Sequence, residues 1–293
     1  RSNSASSPVW RPSAETTTWS PSDCKRTASG RSKEQTMHIG VAQTDITPEG
    51  PVWLTGYGNR DHQSEGVYRP LQAGAVYLEE DHEAAVVLTA DVLGFSPAYA
   101  AALRADLALE LGLLPRQIVL TATHTHCAPL FWPMIMPGEV EAGYASLLAE
   151  RLRQVAAAAR GNARVGHIRF GRGRSDFGVN RRLPDGGFGP NPDGPVDRDL
   201  DTLWLCAGRP YGTVRPDVVG SLTVYGCHPT SLGGYRVGPD YPGYLCGRVT
   251  AATGAPALFA TGCGGNVRPW FRRPGQAGFA QPTLEELEAA GSR

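Results

Sequence analysis

Three histidines offer the clearest chemistry in this chain. His124 and His126 stand one residue apart where an apolar run ends, in Leu120-Thr121-Ala122-Thr123-His124-Thr125-His126-Cys127-Ala128-Pro129, and His228 follows a second run, Ser221-Leu222-Thr223-Val224-Tyr225-Gly226-Cys227. Side chains at i and i+2 of an extended backbone project to the same side. Both imidazoles of the first segment can therefore face one metal, or one can bind it while the other meets substrate. Histidine is the commonest metal ligand, and a catalytic zinc ion needs three protein ligands with a position left for water. Two apolar strands that each run out into histidine predict a single site where their ends meet, since α/β proteins do their chemistry at strand C-termini.

Other polar residues sit in loops of the same kind. Asp91 follows an apolar strand, and Gly264-Gly265-Asn266 follows another. Asp240, in Gly238-Pro239-Asp240-Tyr241-Pro242, stands just before a predicted helix, where it either caps that helix or orients a histidine or a water from behind. Cys127 beside His126 raises the alternative of a thiol nucleophile, but adjacent residues of an extended segment point to opposite faces. The serine-hydrolase signature GxSxG is absent.

The elements that must position these residues follow from hydrophobic period and turn residues. A first strand over residues 40–46 leads to the Gly-rich loop Leu54-Thr55-Gly56-Tyr57-Gly58-Asn59-Arg60. Residues 73–78 and 84–89 form a hairpin around a charged tip. A helix over 97–111, a strand over 117–122, a helix over 139–159 and strands over 165–170 and 202–206 come next. The polar stretch 171–199 reads as a long loop, which in a compact domain implies a binding role. The last block is a strand over 221–227, a helix over 242–253 and a strand over 257–261. These strand-loop-helix-strand units predict a pseudo-duplicated α/β fold (mixed α+β), with mixed sheets flanked by helices and the chemical loops at one edge.

With 293 residues the chain can bury a substantial core, read here as one domain over residues 37–293. Lys plus Arg and Asp plus Glu balance at 28 each, giving no net field to draw in nucleic acid. Arg172, Arg174, Arg181 and Arg182 read as a solvated, mobile loop. No run approaches the roughly 20 apolar residues of a membrane-spanning helix. Six cysteines without CxxC spacing fit a reduced compartment. Residues 1–36, rich in Ser, Thr, Pro and Arg and lacking the apolar core of a secretory signal, read as a disordered leader ahead of Met37, which favours a cytoplasmic protein. Residues 282–290 read as a helix with Thr283 as N-cap, broken off as it begins, so the domain is expected to continue past Arg293.

From Met37 onward the chain resembles the catalytic, N-terminal domain of the neutral/alkaline non-lysosomal ceramidase family. The residues that carry the likeness are Asp45-Ile46-Thr47-Pro48, Gly56-Tyr57-Gly58, His124-Thr125-His126-Cys127-Ala128-Pro129, Asn180-Arg181, Gly194-Pro195-Val196-Asp197, His228-Pro229-Thr230-Ser231, Asp240-Tyr241-Pro242-Gly243-Tyr244 and Gly262-Cys263-Gly264-Gly265-Asn266. The resemblance implies a Zn2+ hydrolase of N-acyl amides acting on a small-molecule or lipid substrate. By position, His124 and His228 are then zinc ligands, His126 donates to the amide oxygen, Asp240 acts in catalysis, and Asn180, Arg181 and Asn266 line the substrate pocket. Two departures stand out. Asn266-Val267-Arg268-Pro269 carries arginine where the family has a catalytic serine, and the family's glutamate and tyrosine ligands have no counterpart before Arg293. The alternative is a relative that binds ligand without hydrolysing it.

Overall fold

The computed structural model describes residues 36–210 and 217–292. The leader expected at residues 1–36 lies, apart from Thr36, outside the described residues. The described chain forms β1 (Met37–Asp45), β2 (Gln72–Glu80), β3 (Glu83–Ala90), α1 (Pro97–Leu111), β4 (Ile118–Ala122), α2 (Ala142–Gly161), β5 (Arg164–Arg174), β6 (Gly178–Arg182), β7 (Phe188–Asn191), β8 (Asp199–Ala207), β9 (Val218–Tyr225), α3 (Tyr241–Thr253), β10 (Ala257–Thr261), β11 (Val267–Pro269) and α4 (Leu284–Gly291). It is a mixed α/β fold, as the strand and helix periods predict. None of its helices is long and apolar enough to cross a membrane.

Eight strands form one sheet in the order β10-β9-β8-β5-β1-β2-β3-β4, and β11-β6-β7 form a second, smaller one. In the large sheet only β3/β4 and β9/β10 are parallel pairs, each joined by a helical crossover, α1 or α3. They are the two strand-loop-helix-strand units. They occupy opposite ends of the sheet, yet the sheet doubles over so that these ends meet. A Cβ placed on Gly74 of β2 would lie 2.1 Å from Leu258 Cδ2 of β10, so the halves touch closely enough to require glycine there. Thr261 Oγ1, at the end of β10, donates to Thr123 O just after β4.

Side-chain alternation explains the doubling. Ile39 and Val41 of β1, Val76 of β2, Leu205 of β8, Leu222 of β9 and Leu258 of β10 form a core between the two halves. The opposite faces of β1, β2 and β3 bury Ala42, Ala73, Ala75, Tyr77, Val86 and Leu88 against α1 and α2. Strands buried on both faces read as continuous apolar runs, which is how these read. On α2, Tyr144, Leu148, Leu152, Val155 and Ala159 recur at helical spacing and are buried. Leu148 and Leu152 are fully buried, and each contributes about 2 kcal/mol by leaving water. Across the molecule, Tyr241, Tyr244 and Leu287 of α3 and α4 pack on Tyr225 and Phe259. The layers run helix, sheet, sheet, helix.

Two expectations need correction. The second helix begins at Ala142, after a turn in which Gly138 has φ 101. The stretch 171–199 is not a loop: β5 continues to Arg174, and β6 and β7 form the small sheet with β11. Its arginines are placed rather than mobile, since Arg172 pairs with Asp199 and Asp201 across β5 and β8, and Arg174 pairs with Asp199. Charge alternation along a cross-strand ion-pair ladder looks polar in sequence, and so the strand was hidden. The Asp81-His82 turn between β2 and β3 has both residues at positive φ, as a two-residue hairpin requires. The helix expected at Thr283 forms with a complete capping box from Thr283 and Glu286.

Candidate metal centre

Because the parallel pairs meet, the loops after β4 and β9 face each other. His124 Nε2 and His228 Nε2 lie 3.1 Å apart. The rings of His124, His126 and His228 form a triangle with centroid separations of 5.1, 4.6 and 5.4 Å. The three offer ligand nitrogens that all lie within 4.8 Å of one another, so they can hold one metal ion. Thr125 and Cys127, the intervening residues, point inward, with Thr125 Oγ1 donating to Gly238 O at 2.7 Å.

Each ring is held from behind by a backbone carbonyl. Nδ1 of His124 bonds Leu93 O at 2.6 Å, that of His228 bonds Gly264 O at 3.1 Å, and that of His126 bonds Gly56 O at 2.9 Å. A carbonyl only accepts, so each Nδ1 carries the proton and each Nε2 presents a lone pair. Two lone pairs 3.1 Å apart repel unless a cation lies between them. Two nitrogens at about 2.05 Å from a tetrahedral zinc ion are themselves about 3.3 Å apart, so the pair fits zinc. His126 Nε2 is buried without a hydrogen-bond partner. Burial first, then the neighbouring His124 and His228, pushes His126 down to about 3, and burial pushes His228 down to about 4. Both rings are neutral at physiological pH, as ligands must be.

That tautomer alters the expectation for His126. A neutral ring whose Nδ1–H is spent on Gly56 O has no proton at Nε2 to donate to an amide oxygen, so its free nitrogen accepts or ligates instead. Gly56 sits at φ 97, and a Cβ on it would lie 2.5 Å from the His126 ring, so glycine is needed both for the turn and for the approach.

Asp240 does not touch the histidines, whose Nδ1 positions are all taken by carbonyls. It is fully buried and caps α3, its Oδ1 accepting from Tyr241 N at 2.7 Å and its Oδ2 from Leu232 N at 3.1 Å. The Leu232 bond ties down the loop that His228 begins, so Asp240 reaches the site through that loop. Burial raises its pKa, opposed by these hydrogen bonds. Asp91 is buried too, accepts from Gln72 N at 2.8 Å, and is pushed up to about 7 by burial. It lines a cavity of about 660 Å³ with Thr89, Thr123, Arg69 and Cys246, between β2/β3 and α3/β10.

The small sheet forms the other rim. Asn180 is buried, with Nδ2 donating to Pro195 O at 2.8 Å and Oδ1 accepting from Arg182 N at 2.8 Å. Arg181 donates through Nε and Nη2 to Gly265 O at 3.1 and 2.8 Å, and Arg182 Nε donates to Asn266 Oδ1 at 3.1 Å. Asn266 is exposed at this rim. Since Gly264 O holds His228, the arginines lie one residue from the support of a candidate ligand.

The thiol alternative fails. Cys127 is buried, burial pushes its pKa up to about 12, and its sulfur faces Arg60 Nη2 at 3.8 Å and Leu232 O at 3.9 Å rather than a histidine. Arg60 itself escaped sequence reasoning. It is 3% exposed, and donates to the carbonyls of Thr55, His126 and Gly234, fastening the Gly-rich loop to the histidine loop and to the loop after His228. The available signal was an arginine closing a Gly- and Tyr-rich loop. The carbonyls of Leu93, Gly264 and Gly56 have no side-chain signal at all.

No protein-family model and no curated protein sequence matches this chain. Solved structures do match, among them a neutral ceramidase from Pseudomonas aeruginosa, with a TM-score of 0.73 and 20% identity over 88% of this chain and 43% of that one, and a ceramidase complexed with C2, with a TM-score of 0.72 and 20% identity over 88% and 42%. The chain spans less than half the length of either. Its fold is therefore ceramidase-like.

Proposed function

We propose that His124, His126 and His228 hold a zinc ion and that the chain hydrolyses an N-acyl amide there. The observation that carries this reading is the set of three imidazoles whose Nδ1 positions are all spent on carbonyls and whose remaining nitrogens converge. Carbonyls that accept from the other ring nitrogen orient metal-bound histidines and raise their basicity. The ceramidase-like fold supports the choice of an amide as substrate.

Bound there, zinc supplies Lewis acidity toward a carbonyl and lowers the pKa of water toward neutrality. The protein supplies the rest. Leu93, Gly264 and Gly56 fix the tautomers. His126 contributes the third nitrogen, in place of the proton donor expected of it. Asp240 and Arg60 act as positioning residues, holding the loops that carry His228 and His126. Asn180 sets the backbone of β6 so that Arg181 and, across from it, Asn266 line the approach to the site. The second reading, a domain that binds ligand without hydrolysis, is favoured by one observation: among the described residues, the ligand group His124, His126 and His228 includes no carboxylate to take a proton from water.

Metal content by mass spectrometry tests the proposal. Folded wild type is expected to carry about one zinc per chain, falling at least tenfold in His124→Ala, His126→Ala and His228→Ala. Folded wild type without zinc would sink the hydrolase reading. Zinc without release of amine from any N-acyl substrate would leave the binding reading.

A further inference from the structure

The arginines at the rim donate to neutral acceptors, as Arg60 and Arg104 do, but here three such arginines lie together. Elsewhere in the fold, Arg153, Arg172, Arg174, Arg198 and Arg273 each pair with a carboxylate. Arg181, Arg182 and Arg268 pair with none among the described residues. Their hydrogen-bond acceptors are neutral: Gly265 O for Arg181, Asn266 Oδ1 for Arg182, and Thr230 O, at 2.7 Å, for Arg268. Three cations gathered around one loop without a counter-charge repel one another, and fixed acceptors of zero net charge relieve that only in part.

Nor are they free to swing into solvent. Arg268 lies over the Phe279 ring at 4.3 Å, and Arg181 and Arg268 lie 5.7 and 5.9 Å from the centroid of one ring, Phe188. Phe188 is itself 56% exposed, so the aromatic–guanidinium cluster is open to a ligand. Arg268 Nε is buried without a partner. Burial lowers the basicity of both arginines, and Arg182 and Arg268 lower that of Arg181 further. Arg268 holds Thr230 O, two residues past His228, and Arg181 holds Gly265, next to the Gly264 carbonyl that His228 bonds, which places both beside the metal centre.

We infer that Arg181 and Arg268 bind an oxyanion of the substrate, a carboxylate or phosphate close to the scissile acyl bond, so that the site selects anionic N-acyl compounds over neutral N-acyl amino alcohols. The substrate class rests on the hydrolase reading above; the anion site does not. Guanidinium forks match both carboxylate and phosphate, and the exposed Phe188 offers a face to an apolar acyl group beside them.

The test measures binding of three probes to the full chain by calorimetry at low ionic strength: N-benzoylglycine, N-benzoylethanolamine phosphate and neutral N-benzoylethanolamine. It is run on protein as purified and again after chelation. Wild type is expected to bind at least one anionic probe about tenfold more tightly than the neutral one, because charge-assisted hydrogen bonds are the stronger kind. Whichever anion is favoured identifies the source. Arg268→Gln and, separately, Arg181→Gln should erase the preference with zinc content unchanged. Arg181→Gln, at the more exposed residue, keeps the test alive where Arg268→Gln fails to fold. Equal binding of charged and neutral probes, or a preference that survives both substitutions, overturns the inference. A preference that persists after chelation in a protein without zinc upholds the anion site while the hydrolase reading falls. Zinc-dependent hydrolysis without charge preference does the reverse.

Discussion

The β3-α1-β4 and β9-α3-β10 units share one topology, and the doubled sheet sets their ends face to face, yet they hold their unusual backbone in different places. In the first unit α1 is capped by Ser96 in an ordinary extended conformation, φ −65 and ψ 151, while His124, after the second strand, sits at φ 67. In the second unit the candidate ligand His228 is absent from the positive-φ residues, and the helix cap carries the departure: Asp240 at φ 59 and ψ −156. A non-glycine residue held this way costs of order 1–3 kcal/mol and persists where the surroundings over-determine it. One unit therefore strains the ligand itself. The other strains the residue that anchors the ligand's loop.

Removing the two helix caps should separate the units most. Ser96→Ala forfeits one capping bond, to Tyr99 N, and should cost about 1 kcal/mol. Asp240→Ala leaves Leu232 N without its buried acceptor, loses the bond to Tyr241 N, and keeps a side chain at φ 59. It should cost about 3 kcal/mol, with Asp240→Asn recovering only the bond that its single amide oxygen keeps, since its NH2 faces the other N–H donor. Urea midpoints measure both. Equal costs for the Ser96 and Asp240 substitutions to alanine would remove the distinction drawn here.

The same contrast explains how far the sequence could be read. Helix α1 and strand β10 have the bounds their apolar period implies, because Ser96, Pro97 and Gly112 mark the helix and Thr261 ends an unbroken apolar run. That His124, His126 and His228 converge followed from strands running out into histidine. What could not be read was the doubling of the sheet, which depends on a tertiary contact such as Gly74 with Leu258, and the supports of the imidazoles, which are main-chain carbonyls that any residue type supplies. Asp240 was legible as a helix cap, but its hold on Leu232 depends on where α3 lands. The strands β6 and β7 were hidden because they are short and carry Gly, Pro, Asn and Arg, leaving Val179 alone to face the core.

Titration should sharpen the comparison next. The loop after the first strand of each unit carries a group that burial keeps neutral: Asp91, raised from 3.8 to about 7, and His228, lowered from 6.5 to about 4. Their effects on stability have opposite sign. The raised Asp91 binds its proton more tightly when folded, so its contribution is full below pH 3.8 and is lost as pH rises through about 7. The lowered His228 contributes fully above pH 6.5 and loses that contribution as pH falls through about 4. In chelated protein, Asp91→Asn should raise stability at pH 7.5 relative to pH 4.5 by about 2 kcal/mol compared with wild type, and His228→Asn should shift the same difference the other way by a smaller amount. Urea unfolding at the two pH values reads both slopes. Slopes of the same sign in the two variants would show that burial is not what keeps these groups neutral.

The smallest effect tests the strain itself. In chelated protein, His124→Gly and His228→Gly each lose a half-buried ring and a hydrogen bond to a carbonyl, and each relieves the repulsion between facing Nε2 lone pairs. Only the first also frees a backbone at φ 67, a region glycine enters without cost. His124→Gly should therefore be less destabilising than His228→Gly by about 1 kcal/mol. With zinc restored the same difference is expected to persist, since either substitution removes a ligand and forfeits the same binding free energy. A His124→Gly variant that unfolds as readily as His228→Gly without metal would mean that the left-handed turn at His124 is not strained, and that the two units differ only at their helix caps.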